Sequence, residues 1–253
     1  LELAGYYNRF SRNWYKIRKT GGESIHEVLA NPGAYGEAFD VLRLQGAGEL
    51  GIRANNRDYE AYGVQFAGDW QFATGSLDHE VHFGARYHHD EIRRFQRDDD
   101  IVVGSPGNPL FVRTGEWGSG GNRFQEADAL ALWIEDSVSL GALTLSPGVR
   151  YEYIDQHYTD FASDSKNTVT GSGDGNTDQL SPGIGFTYDV TESEALFGGV
   201  FRGVSAPSPR NHLREGVDWE ESIGYELGLR HRGDALSAEV AGFYTDFDNL
   251  IGT

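Results

Sequence analysis

The chain has 253 residues, a formal net charge of -18 and no cysteine. The charge excludes a general nucleic-acid binder, which needs a basic face, and the missing cysteines exclude a disulfide framework or a thiolate metal site. Thirty-four glycines and 13% aromatics suit many turns and half-buried strands better than a helical protein.

The opening "LELAGYYNRF" lacks the basic start and apolar stretch of a signal peptide. It begins a strand predicted over 1–17, which carries Arg12 in "FSRNWY" near its end. A long polar loop is expected over 18–56. Strands at 57–73 and 79–95 follow, joined by a short turn at Thr74–Asp78. They carry Arg57 in "NNRDY" and Arg93, with its neighbour Arg94, in "DEIRRF", where strands meet long loops. The next long loop, 96–125, contains "RDDDIVV" at Arg97–Val103 and is expected to be mobile and solvated.

Strands at 126–140 and 143–160 meet at the short turn Gly141–Ala142. Here the period of two is clean: Leu143, Leu145, Pro147, Val149, Tyr151 and Tyr153 alternate with Thr144, Ser146, Gly148, Arg150 and Glu152. A polar loop at 161–177 leads to strands at 178–190 and 194–205, with Thr191–Ser193 between them. The last long loop, 206–218, precedes strands at 219–231 and 236–248, joined at Arg232–Ala235. Ile223, Tyr225, Leu227 and Leu229 again alternate with polar or glycine positions.

No apolar run reaches the ~18 residues of a transmembrane helix. Nine strands, many longer than the usual five or six residues, alternate short with long connections. That is the plan of an antiparallel transmembrane β-barrel, with tight periplasmic turns and long extracellular loops. Its apolar rows face lipid, and Arg150, Glu152, Glu226 and Arg230 face an enclosed interior. The mean hydropathy of -0.50 fits, because alternation averages lipid-facing with polar positions. An odd strand count leaves bare edges that lipid does not tolerate, so residues 1–253 are expected to be one part of a larger barrel. The competing reading is a soluble β-sandwich that binds glycans or proteins. It requires a second protein layer over the apolar rows. No nucleophile–base set or phosphate-cradling glycine motif is visible, so an enzyme is not expected.

"SPGVRYEYID", "FRGVSAPSP", "EESIGYELGLRHR" and "LSAEVAGFYTDFDNLI", in this order, resemble the barrel domain of TonB-dependent outer-membrane receptors. "HEVHFGARYHHDEIRR" and "NNRDYEAYGVQ" are similar to the ferric-citrate receptor-like subgroup. The resemblance implies a barrel of 22 strands filled by a plug, which takes up iron chelates with energy passed on by TonB. It implies an outer-membrane location, lipid and lipopolysaccharide around the barrel, a ferric siderophore or ferric citrate as cargo, and no resident cofactor. No plug or TonB-box segment and no first or last barrel strands are recognisable in 1–253, so contact with TonB is expected through a plug outside it.

Within that resemblance, Arg12, Arg57 and Arg93 are similar to chelate-binding arginines, with Arg94 as the substitute for Arg93. Guanidinium groups suit the task, since they grip carboxylates bidentately and keep their charge. The acidic total charge opposes an anionic cargo, but screening beyond ~8–10 Å lets a local positive vestibule dominate. A receptor of the same superfamily for haem or another metal chelate is the alternative: His212 follows "FRGVSAP" in a box similar to one of haem receptors, although "VDWEES" does not supply the companion box. His79 and His82, and His88 and His89, are expected on opposite faces of their strand. Asp174, Asn176 and Asp178 are spaced like the start of a calcium loop, but Gln179 stands where its glycine belongs, so a hydrated loop or weak surface site is expected. Trp14, Trp70 and Trp133 are candidates for interfacial girdles.

Overall fold

The computed structural model describes residues 1–105, 108–163 and 167–250. In it the alternating segments form long strands: β1 (Glu2–Thr20), the two-residue β2 (Glu23–Ser24), β3 (Gly48–Thr74), β4 (Leu77–Ser105), β5 (Asn108–Arg113), β6 (Gly121–Leu140), β7 (Leu143–Phe161), β8 (Val169–Asp189), β9 (Glu194–Ser205), β10 (Glu220–Arg232) and β11 (Ser237–Asp248). Three short helices interrupt them: α1 (Ile25–Ala30), α2 (Gly36–Leu42) and α3 (Pro209–Glu215).

All strands join one antiparallel sheet in the order β11-β10-β9-β8-β7-β6-β4-β3-β1-β2, with β5 added on β4. The nine expected strands are all present. The two further ones, β2 and β5, are short additions within the long connections. Tight turns close the hairpins at one end. Gly75 (φ 64°) and Gly141 (φ 61°) occupy the left-handed region there, which glycine enters without the clash of a Cβ.

Because side chains alternate, register sorts the sheet into two faces. On the open face, Val64, Tyr87, Leu130 and Tyr153 share one rung, and Phe66, Ala85, Leu132, Tyr151 and Leu180 another. Most of these side chains remain exposed; Leu132 is 46% and Leu180 49% accessible. Among the described residues no second layer covers them, since every strand lies in the one sheet. That excludes the sandwich, and the strand from Tyr62 to Trp70 has the ~9 residues a tilted strand needs to cross a bilayer. The opposite face is sheltered. It carries Asn55, Gln125, Ala131 and Gln156, all buried, together with Arg150 and Glu152 in β7 and Glu226 and Arg230 in β10. Trp70 stands on the open face, as a girdle residue should. Trp14 and Trp133 stand on the sheltered one, opposite Asn55 and Gly84.

Beyond the apolar band the strands run on, which changes the expected loops. Arg97–Val103 is part of β4, not a mobile loop. Its hydrophobic end, Val103, is buried with Val41 of α2 and Leu50 of β3 in a small core, and its acids are paired, Asp98 with Arg53 at 2.6 Å and Asp99 with Arg97 at 2.9 Å. Burial of apolar groups with neutralised charges extends the ladder where composition alone reads as solvated. Thr20 reinforces this end by donating its hydroxyl to the Ala38 carbonyl at 2.7 Å. Likewise most of the expected loop 161–177 belongs to β8, and the expected loop 206–218 contains α3.

Candidate functional site

On the sheltered face, above the apolar band, one rung runs across five strands: Arg12 of β1 pairs with Arg57 of β3, Arg57 with Arg94 of β4, Arg94 with Arg123 of β6, and Arg123 with Asp160 of β7. Like charges directly opposite one another destabilise a sheet. A row of four is therefore held by the rest of the fold.

The row is not uniform. Arg123 Nε donates to Asp160 Oδ1 at 2.6 Å. The other carboxylate oxygen accepts from two residues of α3, Arg210 Nε at 3.1 Å and Arg214 Nη1 at 2.7 Å. Burial alone would raise the Asp160 carboxyl, but the bonds from Arg123 and Arg210 outweigh it and hold it below its ordinary value. Arg12, Arg57 and Arg94 have no such counter-charge: among the described residues none of them forms an ion pair. Arg12 Nη2 and Arg57 Nη1 both donate to the Tyr59 hydroxyl, at 2.6 and 3.4 Å, and the Arg12 guanidinium lies 5.2 Å over the Tyr59 ring. Arg94 Nε is buried without a hydrogen-bond partner. Burial first, then the charges of Arg57 and Arg123, bring the Arg94 guanidinium down to about 10. Desolvated and crowded by its own sign, it is a guanidinium that a neighbouring anion would relieve.

Beneath the rung lies a cavity of about 410 Å³ whose lining includes Arg94, His88, Asp90, Gln125, Gln156 and Pro207. The loop before α3 closes one side, with Gln156 Nε2 donating to the Pro207 carbonyl at 3.2 Å. Gln125 Oε1 and Gln156 Oε1 are buried and unpartnered. The cavity thus offers an N–H donor with positive charge beside two free amide acceptors. A guest that carries carboxylates together with hydroxyl or N–H groups satisfies all of them.

The structure brings together three of the four arginines singled out in the sequence, Arg12, Arg57 and Arg94. Arg93 is separated from them, because adjacent strand residues point to opposite faces. It lies on the open face, where Nη2 donates to Asn122 Oδ1 at 2.7 Å and the guanidinium stacks 4.5 Å over Phe161. Sequence reasoning missed Arg123, Gln125 and Asp160. The parity of β4 extended through its ladder would have found Arg123, but its segment read as loop. Arg210 and Arg214 carry no periodic signal.

The histidines separate as expected: His88 shares the sheltered face with Tyr6, 2.6 Å from its hydroxyl, while His89 stacks on Tyr62 of the open face. His212 Nδ1 lies 3.1 Å from the Val217 carbonyl within the turn that ends α3. Asp174, Asn176 and Asp178 stand at every second position of one strand, β8, on its open face, which corrects the expectation of a hydrated loop.

A family model described as TonB dependent receptor-like, beta-barrel, matches residues 2–253. The uncharacterized protein YddB of Escherichia coli (strain K12) is 26% identical over 156 residues, which cover 55% of this chain and 18% of that protein. The ferric citrate transporter FecA in its unliganded form superposes with a TM-score of 0.63 at 21% identity, over 79% of this chain and 30% of FecA. The siderophore receptor PiuA from Acinetobacter baumannii gives 0.67 at 14% identity, over 95% of this chain and 36% of PiuA. At these identities the two structures speak for the fold alone. The chain spans from under a fifth to about a third of the length of these proteins.

Proposed function

The chain belongs to the TonB-dependent receptor β-barrel family, and from that premise we propose that it forms a sector of an outer-membrane barrel that takes up a ferric chelate rich in carboxylates. The two flanks of the sheet, β1 and β11, and the share of each relative that the chain spans support the reading as one sector of a larger barrel. The exposed apolar band supports its place in the outer membrane, in contact with lipid and lipopolysaccharide.

The single observation that carries the cargo is the row Arg12–Arg57–Arg94 with no carboxylate partner, above a cavity lined by two unpaired amide oxygens. Carboxylates of an iron chelate supply the missing counter-charges, and each guanidinium presents a fork that fits one. The protein binds and releases; it performs no covalent chemistry. TonB acts through the plug that the family carries. A haem cargo finds less support, since "VDWEES" after His212 does not supply the companion box of haem receptors.

Titration calorimetry of the whole receptor with ferric citrate, other ferric polycarboxylates and haemin tests the proposal. Binding of a ferric polycarboxylate that weakens at least tenfold in Arg57→Gln supports it. Haemin binding with no response to any polycarboxylate overturns it.

A further inference from the structure

The open face carries a second polar constellation that the transport reading does not use. Just above the apolar band, Tyr62, His89 and Asp128 share one rung, and Glu60, Glu91, Glu126 and His157 share the next. Three side chains of these rungs converge: one donor atom each from His89, Glu91 and Glu126 lies within 4.8 Å of the others, and all three residues are half-buried. Two belong to β4 and one to β6.

The imidazole is held from outside the triad. Its ring stacks on Tyr62 with centroids 4.7 Å apart and planes 20° apart, and its Nδ1 lies 2.9 Å from Asp128 Oδ1. A carboxylate on one ring nitrogen fixes the tautomer and presents the other nitrogen as a ligand, the arrangement that commonly backs metal-bound histidines. The carboxylates, by contrast, lack neutralisation. Among the described residues neither Glu91 nor Glu126 forms a hydrogen bond or an ion pair, and the one nearby cation, Arg9, is spent on Glu60 at 3.9 Å and largely exposed. Glu60, Glu91 and Glu126 stand directly opposite one another across β3, β4 and β6. Directly opposed carboxylates cost stability in a ladder, and a bound cation reverses the sign of that interaction.

We propose that His89, Glu91 and Glu126 form a site for a divalent first-row transition-metal ion of the Zn²⁺ class, which ties β4 to β6 on the outer surface of the barrel. One imidazole with two carboxylates suits that class; an all-oxygen set would suit Mg²⁺ or Ca²⁺ instead. By ladder parity the three residues stand on the face opposite to Arg94 and Gln125.

The test is Zn²⁺ binding to the whole receptor in detergent, read by competition with a chromophoric zinc indicator and by thermal unfolding. The expected result is one equivalent that binds at least tenfold more weakly in Glu126→Gln and in Glu91→Gln, is retained in the open-face control His157→Ala, and raises the unfolding temperature of the parent but not of the two variants. Glu126→Gln conserves shape, so it keeps the test valid should His89→Ala fail to fold. Equal binding by parent and Glu126→Gln overturns the proposal, as does displacement of Zn²⁺ by equimolar Mg²⁺.

Discussion

Arg94 stands directly opposite Arg57 in the β3–β4 ladder, with Arg123 opposite its other side. Its charge is unfavourable in the folded chain, as its lowered value of about 10 records. The sign follows from linkage: a base held below its ordinary value destabilises the fold at every pH where it is protonated, and neutral pH lies in that range. Arg94→Gln should therefore raise the unfolding temperature of the ligand-free receptor while it weakens ferric polycarboxylate binding about tenfold, the ~1.4 kcal/mol of one charge-assisted bond. Differential scanning calorimetry and titration calorimetry on the same preparations check both halves. A variant that binds normally removes Arg94 from the site.

Arg93 provides the internal control. It is the immediate neighbour of Arg94 in sequence but lies against Phe161 and Asn122 on the other face. Arg93→Gln should leave chelate affinity within about twofold and instead lower stability by about 1 kcal/mol, through the lost stacking and hydrogen bond. A large loss of affinity in Arg93→Gln with none in Arg94→Gln would reverse the assignment of faces.

Asp160 fastens α3 to the sheet, since it accepts from Arg123, Arg210 and Arg214 together. Its carboxyl is held below its ordinary value. A depressed acid contributes stability that is complete above its unfolded value of 3.8 and is lost as pH falls through the lower, folded value. Hydrogen exchange across 206–218, measured against the intrinsic rate at each pH, should therefore be slow at neutral pH and accelerate relative to that rate below about pH 4. Asp160→Asn should bring the same acceleration, at least tenfold, to pH 7. Unchanged exchange in the variant would mean that Gln156 and Trp219, bonded to Pro207 and Thr177, hold the segment without Asp160.

Much of this is legible in the residues. The alternation of Leu143–Ile154 sets the two faces of β7 because a strand has a period of two, and the register then carries that assignment from ladder to ladder. Arg12, Arg57 and Arg94 fall on one face by the same arithmetic. The failures share a physical origin. Arg97–Val103 reads as solvated because its acids look unpaired in one dimension, while Arg53, Arg18 and the small core around Val103 come from segments far away in the chain. The resemblance singles out Arg93, but one residue along a strand exchanges the faces, so it is Arg94 that joins Arg57. Helix α3 rests on Asp160, a contact fifty residues distant, which no local pattern encodes.

The band itself predicts an asymmetry between neighbouring positions. Leu132 lies on the open face at the middle rung of the band, opposite Ala85 and Tyr151. Ser181 lies at a similar height on the sheltered face, opposite Arg150. In a lipid bilayer, Leu132→Arg should cost about 2–4 kcal/mol, the penalty for a cation facing hydrocarbon near the midplane. Ser181→Glu should be close to neutral, since it places a carboxylate beside a guanidinium in an aqueous interior. Reversible unfolding of the two variants in lipid vesicles, with guanidinium as denaturant, measures both. If Leu132→Arg unfolds at the same midpoint as the parent, the open face does not meet lipid, and the barrel reading fails with it.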